Sequence, residues 1–204
     1  MWLSLAAFAL AAGLLTITPG VDTALVLRAS ASQGPRAGAA AALGVCGGLF
    51  VWGAGAAVGL NALVAASASA YLALKWVGAA YLCFLGLQLL LRPRAGLVFE
   101  AAAGGDGAAL RRGFLTNVLN PKVGVFYATF LPQFIPLGAN VAVFSLLLAA
   151  IHVALTLVWF AALIALTVPL GRWLRAPRVV RALDRLTGCV FLAFGARLAL
   201  ASRG

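Results

Sequence analysis

Charge is what this sequence has least of. Of 204 residues only 9% are Asp, Glu, Lys or Arg, and only 4 are acidic. A soluble domain carries about 25% charged residues, so a soluble globular fold is excluded. There is 1 histidine, and there are 3 cysteines, Cys46, Cys83 and Cys189, with no C-x-x-C pair. The odd count implies no disulfide framework. Each cysteine falls in an apolar run, where it reads as a small buried membrane residue. No H-E-x-x-H, Ser/His/Asp set or phosphate loop occurs, and so few carboxylates leave little acid–base chemistry. Neither an enzyme nor a bound cofactor or metal is expected. Alternating polarity is also missing, and a transmembrane β-barrel would show it in segments of about ten residues. No basic residue precedes the apolar stretch from Trp2 to Leu15. A signal peptide would have one, so this stretch is expected to stay as a first span.

What is present is apolar. Hydrophobic residues make up 64% of the chain, and mean hydropathy is +1.08. Residues 1–21, 38–74, 76–91, 123–171 and 186–196 contain no charged side chain. A transmembrane helix needs about 20 mostly apolar residues, so 38–74 and 123–171 are each long enough for about two. Six spans fit, at roughly 3–27, 38–60, 70–91, 114–134, 141–168 and 184–202. The expected fold is an all-α membrane protein in one transmembrane transport domain, residues 1–204. Turn chemistry or charge marks the breaks: Gln33-Gly34-Pro35-Arg36, Asn61 with Ser67 and Ser69, the polar segment 92–113, Pro136-Leu137-Gly138, and Pro169 with Pro177.

The net charge of +11 is distributed unevenly. Arg28 and Arg36 follow span one, Arg92, Arg94, Arg111 and Arg112 follow span three, and Arg172, Arg175, Arg178, Arg181 and Arg185 follow span five. The loops after spans two and four have no basic residue. Lys and Arg favour cytoplasmic loops, so both termini are expected outside, and the basic excess reports orientation rather than nucleic-acid binding. The arginines from 172 to 185 recur at helical spacing between Leu174, Val179, Val180 and Leu183. They suggest an interfacial helix against anionic lipid, one that Pro177 would interrupt. Gly44/Gly48 and Gly55/Gly59 are G-x-x-x-G pairs, which let helix backbones approach closely. Packing inside the bundle is the default reading, and the same pairs would also serve a homo-oligomer.

The chain repeats weakly. Thr18-Pro19-Gly20-Val21-Asp22 lies in span one and Asn120-Pro121-Lys122-Val123-Gly124 in span four, with the two prolines 102 positions apart in a chain of 204. Three spans per half make the second half run in the opposite sense, so two inverted repeats are expected, about 1–102 and 103–204, with helices 1 and 4 broken. Proline within a span removes a backbone hydrogen bond, and in lipid the freed groups must find other partners. Paired breaks of this kind point to a transporter's binding site. Asp22 and Lys122 stand beside them. A charge at the centre of a span costs about 2.5–3.5 kcal/mol on insertion scales and faces the bundle interior. The simplest partners for these two are each other, and together they match the two backbone charges of an amino acid. Lys122 has a second reading, snorkelling to the cytoplasmic surface. His152, the only histidine, is read either as a proton relay or as a neutral ring bonded to a neighbouring helix. Lys75 and Arg197 read as interfacial anchors. Asn117, Asn120, Gln133 and Gln88 are polar residues in or near spans, and Asn120 adjoins a break.

Thr18-Pro19-Gly20 followed by Ala37-Gly38 through Leu43-Gly44 resembles the LysE/RhtB family of amino-acid exporters. Gly78 to Gly86 (GAAYLCFLG) resembles that family's third span. Gly113 to Lys122 (GFLTNVLNPK) with Phe130-Leu131-Pro132-Gln133-Phe134 resembles its fourth. The similarity runs in order along essentially the whole chain. The family's first motif is usually T-P-G-P-N or T-P-G-P-D, and Val21 stands here in place of the second proline. The resemblance implies a bacterial inner-membrane exporter of amino acids or derivatives, driven by the proton gradient. Substrate binding or coupling would fall to Thr18, Pro19, Gly20, Asp22, Asn117, Asn120, Pro121, Lys122 and His152. Efflux of a metal ion or another small solute is the alternative, although a metal would call for more intramembrane carboxylates than Asp22. A thiol redox transporter is weaker still, because it needs cysteines where Asp22, Asn120 and Lys122 stand.

Overall fold

The computed structural model describes residues 2–18, 20–66, 68–93, 104–136, 138–166 and 176–200. Among them there is no strand; the chain is helical almost throughout. The helices are α1 (Trp2–Ile17), α2 (Val21–Gln33), α3 (Pro35–Ala66), α4 (Ala68–Leu91), α5 (Asp106–Val118), α6 (Pro121–Val125), α7 (Val141–Ala165) and α8 (Pro177–Leu200). A π-helical turn, Phe126–Phe130, and a 3-10 turn, Leu131–Phe134, continue α6. Pro35–Gly59 of α3 and all of α7 are long and apolar enough to cross a membrane, and α1 with α2 makes a third span if the bent pair is one.

The first interruption follows from local chemistry. Helix α1 stops at Ile17 and α2 resumes at Val21, bent by 54°. Pro19, itself outside the described residues, disfavours helical geometry in the residue before it. The Thr16 hydroxyl donates to the Ala12 carbonyl at 2.7 Å and the Thr18 hydroxyl to that of Leu14 at 2.6 Å, so side chains bind carbonyls of the last turns. The second interruption falls between α5 and α6. Asn120 has extended backbone, its side chain accepts from the Lys122 N–H, and Pro121 opens α6. That first-turn position suits proline, whose missing N–H would have been unpaired there. Asn140 caps α7 in the same way, accepting from the Val143 N–H at 3.1 Å, an interaction worth about 1 kcal/mol.

Helix α3 is the spine, packing on α2, α5 and α7, while α4 packs on α8. A Cβ on Gly44 would run into the Leu110 carbonyl, and one on Gly113 into that of Ala41. The Gly44/Gly48 pair therefore serves packing between α3 and α5. A Cβ on Gly55 or Gly59 would meet open space. Two apolar clusters flank the middle of the bundle. One gathers Phe8, Leu49, Phe126, Phe130 and Leu148; the other gathers Val26, Leu27, Ala41, Phe160 and Leu163.

Several expectations are corrected. Helix α3 runs through Asn61 to Ala66, so Asn61 is no turn. Helix α5 starts at Asp106, well before residue 114, and takes Arg111 and Arg112 out of the loop. Pro177 opens α8, whose first turns carry Arg178, Arg181 and Arg185; residues 167–175, on which the expected interruption also depends, lie outside the described residues. Proline at a first helical position costs nothing, and Val180 and Asp184, four residues apart, turn the buried face inward. Of the cysteines Cys46 is buried, Cys83 partly buried and Cys189 exposed. Gly188 takes the α4-facing place on α8, and the next residue is turned away from it by the helical period. Arg172, Arg175 and the side chains of Lys75 and Arg197 lie outside the described residues.

Candidate substrate cavity between the broken helices

The two interruptions meet. Asp22 stands in the first turn of α2, where the helix dipole favours an anion. Its Oδ2 accepts from Asn117 Nδ2 at 3.0 Å and from Asn120 Nδ2 at 3.1 Å. The orientation of Asn120 is fixed, because its Oδ1 accepts from the Lys122 N–H at 3.1 Å and so its amide nitrogen must face the carboxylate. The other carboxylate oxygen, Oδ1, is buried without a hydrogen-bond partner. Lys122 reaches back to the first break, where its ammonium donates to the carbonyls of Leu15 at 3.1 Å and Thr18 at 3.4 Å. These carbonyls end α1, and a cation at a helix C-terminus is stabilised by the dipole. Each broken helix thus supplies a charged group that helps satisfy the other.

Asp22 and Lys122 line one cavity, with Thr16, Thr18, Gly20, Asn117, Asn120, His152 and Thr156 among its other walls. The space open to the centre of a water molecule is about 30 Å³, room for about two waters and too little for an amino acid. Asp22 is the only carboxylate and Lys122 the only ammonium among the lining residues. Thr156 is 3% exposed, and its hydroxyl has no hydrogen-bond partner.

His152 lies at the back of the cavity, 2% exposed. Its Nδ1 is 3.2 Å from the Tyr127 hydroxyl and its Nε2 is 3.2 Å from the Thr16 hydroxyl. The Thr16 proton is already donated to Ala12, so Thr16 accepts from His152 Nε2–H and Tyr127 donates to Nδ1. One donation and one acceptance define a neutral imidazole, and the ring ties α7 to α1 and to the π-helical turn.

Of the residues singled out in the sequence, Thr18, Gly20, Asp22, Asn117, Asn120, Lys122 and His152 all line the cavity. Pro121 opens α6 beside it, and Pro19 falls outside the described residues. The ammonium of Lys122 turns inward to the end of α1, not outward to a surface. Gln133 bonds to the Thr129 carbonyl, one turn before it, and Gln88 is exposed. Sequence reasoning missed Thr16, Tyr127, Thr156 and Trp52, and read Gly48 only as a packing glycine. Thr156 was within reach, because it lies four residues after His152 and hence on the same helix face. Gly48 makes the space for Asn117: a Cβ there would lie 2.5 Å from Asn117 Oδ1. Trp52 donates its indole N–H to the Asn117 carbonyl at 3.3 Å, binding one of the carbonyls freed at the end of α5.

A multi-pass helical membrane protein, with two broken helices meeting at a charged cavity, has the build of a solute translocator. The chain belongs to the LysE type translocator family, whose model matches residues 14–202. It is 30% identical over 97% of its length to the uncharacterized membrane protein YrhP of Bacillus subtilis, of which it covers 99%. It is 34% identical, over 98% of its length and 97% of the relative's, to an uncharacterized membrane protein of Vibrio cholerae. It is also 32% identical, over 96% of its length and 95% of the relative's, to the homoserine/homoserine lactone efflux protein of Salmonella typhi. No solved structure matches it.

Proposed function

We propose that this protein exports amino acids or close derivatives from the bacterial cytoplasm across the inner membrane, in exchange for protons. The carrying observation is that one carboxylate and one ammonium line a single cavity where the two broken helices meet. A zwitterion has the complementary pair. In this reading the free Oδ1 of Asp22 takes the substrate's ammonium, Lys122 faces its carboxylate, and Asn117 and Asn120 hold Asp22 in place. The unpartnered Thr156 hydroxyl suits a polar substrate side chain, such as the hydroxyl of homoserine, and the Salmonella typhi relative's name supports that class. Protonation of Asp22 from the outer side would release the ammonium and couple export to the proton gradient. His152 holds the cavity wall in register. The cavity has to widen to admit a substrate, as a cycle of alternating access would require. No cofactor takes part. The test is growth inhibition by a panel of amino acids and their toxic analogues, with and without expression. Tolerance should rise for the transported compounds alone; unchanged tolerance across the panel defeats the reading.

The same proposal arranges the chain as one transport domain of six spans in two inverted repeats, with both termini outside. Support comes from the loop charges and from the interruptions at 18–20 and 119–120, half a chain apart. Reporter fusions after Ala66 and after Gly104 should register on opposite sides of the membrane; signals from the same side contradict six spans.

Gly48 gives a further expectation. In Gly48→Ala the new methyl would press Asn117 away and remove one of the two N–H donors on Asp22 Oδ2. Transport should fall by about tenfold, as one hydrogen bond to a charged group warrants, with the protein still inserted. Efflux at matched protein levels decides this, and an undiminished rate means Asn117 has no part in holding the carboxylate.

A further inference from the structure

A second opening lies against the outside of the cavity. It is a groove of about 230 Å³ along the seam of α2 and α5, lined by Val21, Ala24, Leu25 and Arg28 of α2 and by Thr116 of α5. Arg28 is the only charged residue in it. Its Nε is buried without a hydrogen-bond partner, and an unpaired donor of this kind is costly unless an acceptor fills the place. The groove adjoins the cavity residue by residue. Val21 and Thr116 line the groove; their neighbours Asp22 and Asn117 line the cavity, and those two close the seam with their 3.0 Å hydrogen bond.

We infer that this groove is the vestibule through which substrate reaches the cavity, and that Arg28 captures the substrate's carboxylate there. The inference rests on the export reading above and adds the entry site and its chemistry. A guanidinium is a fork that pairs with a carboxylate through two parallel hydrogen bonds. Val21 and Leu25 offer the apolar side against which the carbon skeleton lies. Passage from Arg28 into the cavity then requires the Asp22–Asn117 bond to part and the cavity to widen, after which Asp22 meets the incoming ammonium. A lipid phosphate offers Arg28 the same acceptor chemistry. The junction with the cavity, where Val21 and Thr116 adjoin Asp22 and Asn117, favours the solute.

The experiment uses the purified full-length protein in vesicles and two probes, L-homoserine and L-homoserine lactone, the second of which has no carboxylate. In Arg28→Gln the KM for homoserine should rise by about tenfold, as loss of a charge-assisted hydrogen bond warrants, while the KM for the lactone stays within about twofold. Arg28→Lys keeps the charge and should restore the homoserine KM to within about threefold. Lactone transport by the same vesicles shows that the variants are folded. An unchanged homoserine KM in Arg28→Gln overturns the inference, and so does an equal loss for both probes. An effect on both probes that appears only in vesicles containing phosphatidylglycerol assigns the groove to lipid and overturns it as well. If the wild-type protein carries neither probe, the export reading falls and the vestibule with it.

Discussion

Asp22→Asn should stop export while leaving the protein in the membrane. The substitution keeps the size of the side chain, and a carbonyl oxygen can still accept from Asn117 and Asn120, so the crossing of the broken helices survives. The charge is lost, and with it the partner proposed for the substrate's ammonium and for the driving proton. Losing a hydrogen-bonded charge at a largely desolvated site costs about 2–5 kcal/mol, so efflux should fall by about a hundredfold or more. Lys122 is then the only charge left among the cavity-lining residues, which further disfavours a zwitterion. Labelled homoserine leaving preloaded cells, normalised to protein in the membrane fraction, measures this. Efflux at the wild-type rate would show that the carboxylate is merely tolerated where it stands.

Lys122→Met carries the second large effect, and it has two parts. The ammonium donates to the carbonyls of Leu15 and Thr18 at the end of α1, so methionine leaves two acceptors without that donor and Asp22 without a nearby cation. Membrane-inserted protein should drop, because leaving a buried charge uncompensated costs about 3–5 kcal/mol, and the protein that remains should export at about a hundredth of the normal rate. The double variant Asp22→Asn with Lys122→Met has no uncompensated charge, so it should accumulate better than Lys122→Met alone and still fail to export. Immunoblots of the membrane fraction alongside efflux separate the two parts. Export recovered in the double variant would make the pair structural, and the substrate would then be held by Asn120 and the open backbone of the breaks.

How much of this was legible in the sequence depends on the range of the interaction. The interruptions could be read, because proline acts on its own backbone, and the equal spacing of Pro19 and Pro121 raised them above packing kinks. Asp22, Asn120 and Lys122 could be read because they stand within a few residues of those prolines. Their mutual arrangement could not. The sequence suggests a direct pair, whereas hydrogen bonds run from Asp22 to two asparagines and from Lys122 to the carbonyls of α1. Helix-end carbonyls compete for an ammonium, and no residue type announces them. Asn117 had only its place in a span to recommend it, and its role depends on Gly48, which lies on another helix. Tyr127 and Thr16 meet His152 from 25 and 136 residues away, distances at which periodicity carries no information. Helix α8 begins at Pro177, ahead of the span expected from residue 184, because proline can open a helix as well as end one.

The most direct test of the central claim is to watch protons and substrate together. Purified protein is sealed into vesicles containing a pH-sensitive dye, and L-homoserine is supplied on one side without an imposed pH gradient. The account predicts that homoserine entering the vesicles drives protons out, that the signal is absent from Asp22→Asn vesicles, and that reversing the homoserine gradient reverses it. Homoserine movement with no accompanying proton signal, or an equal signal from Asp22→Asn, would contradict the account.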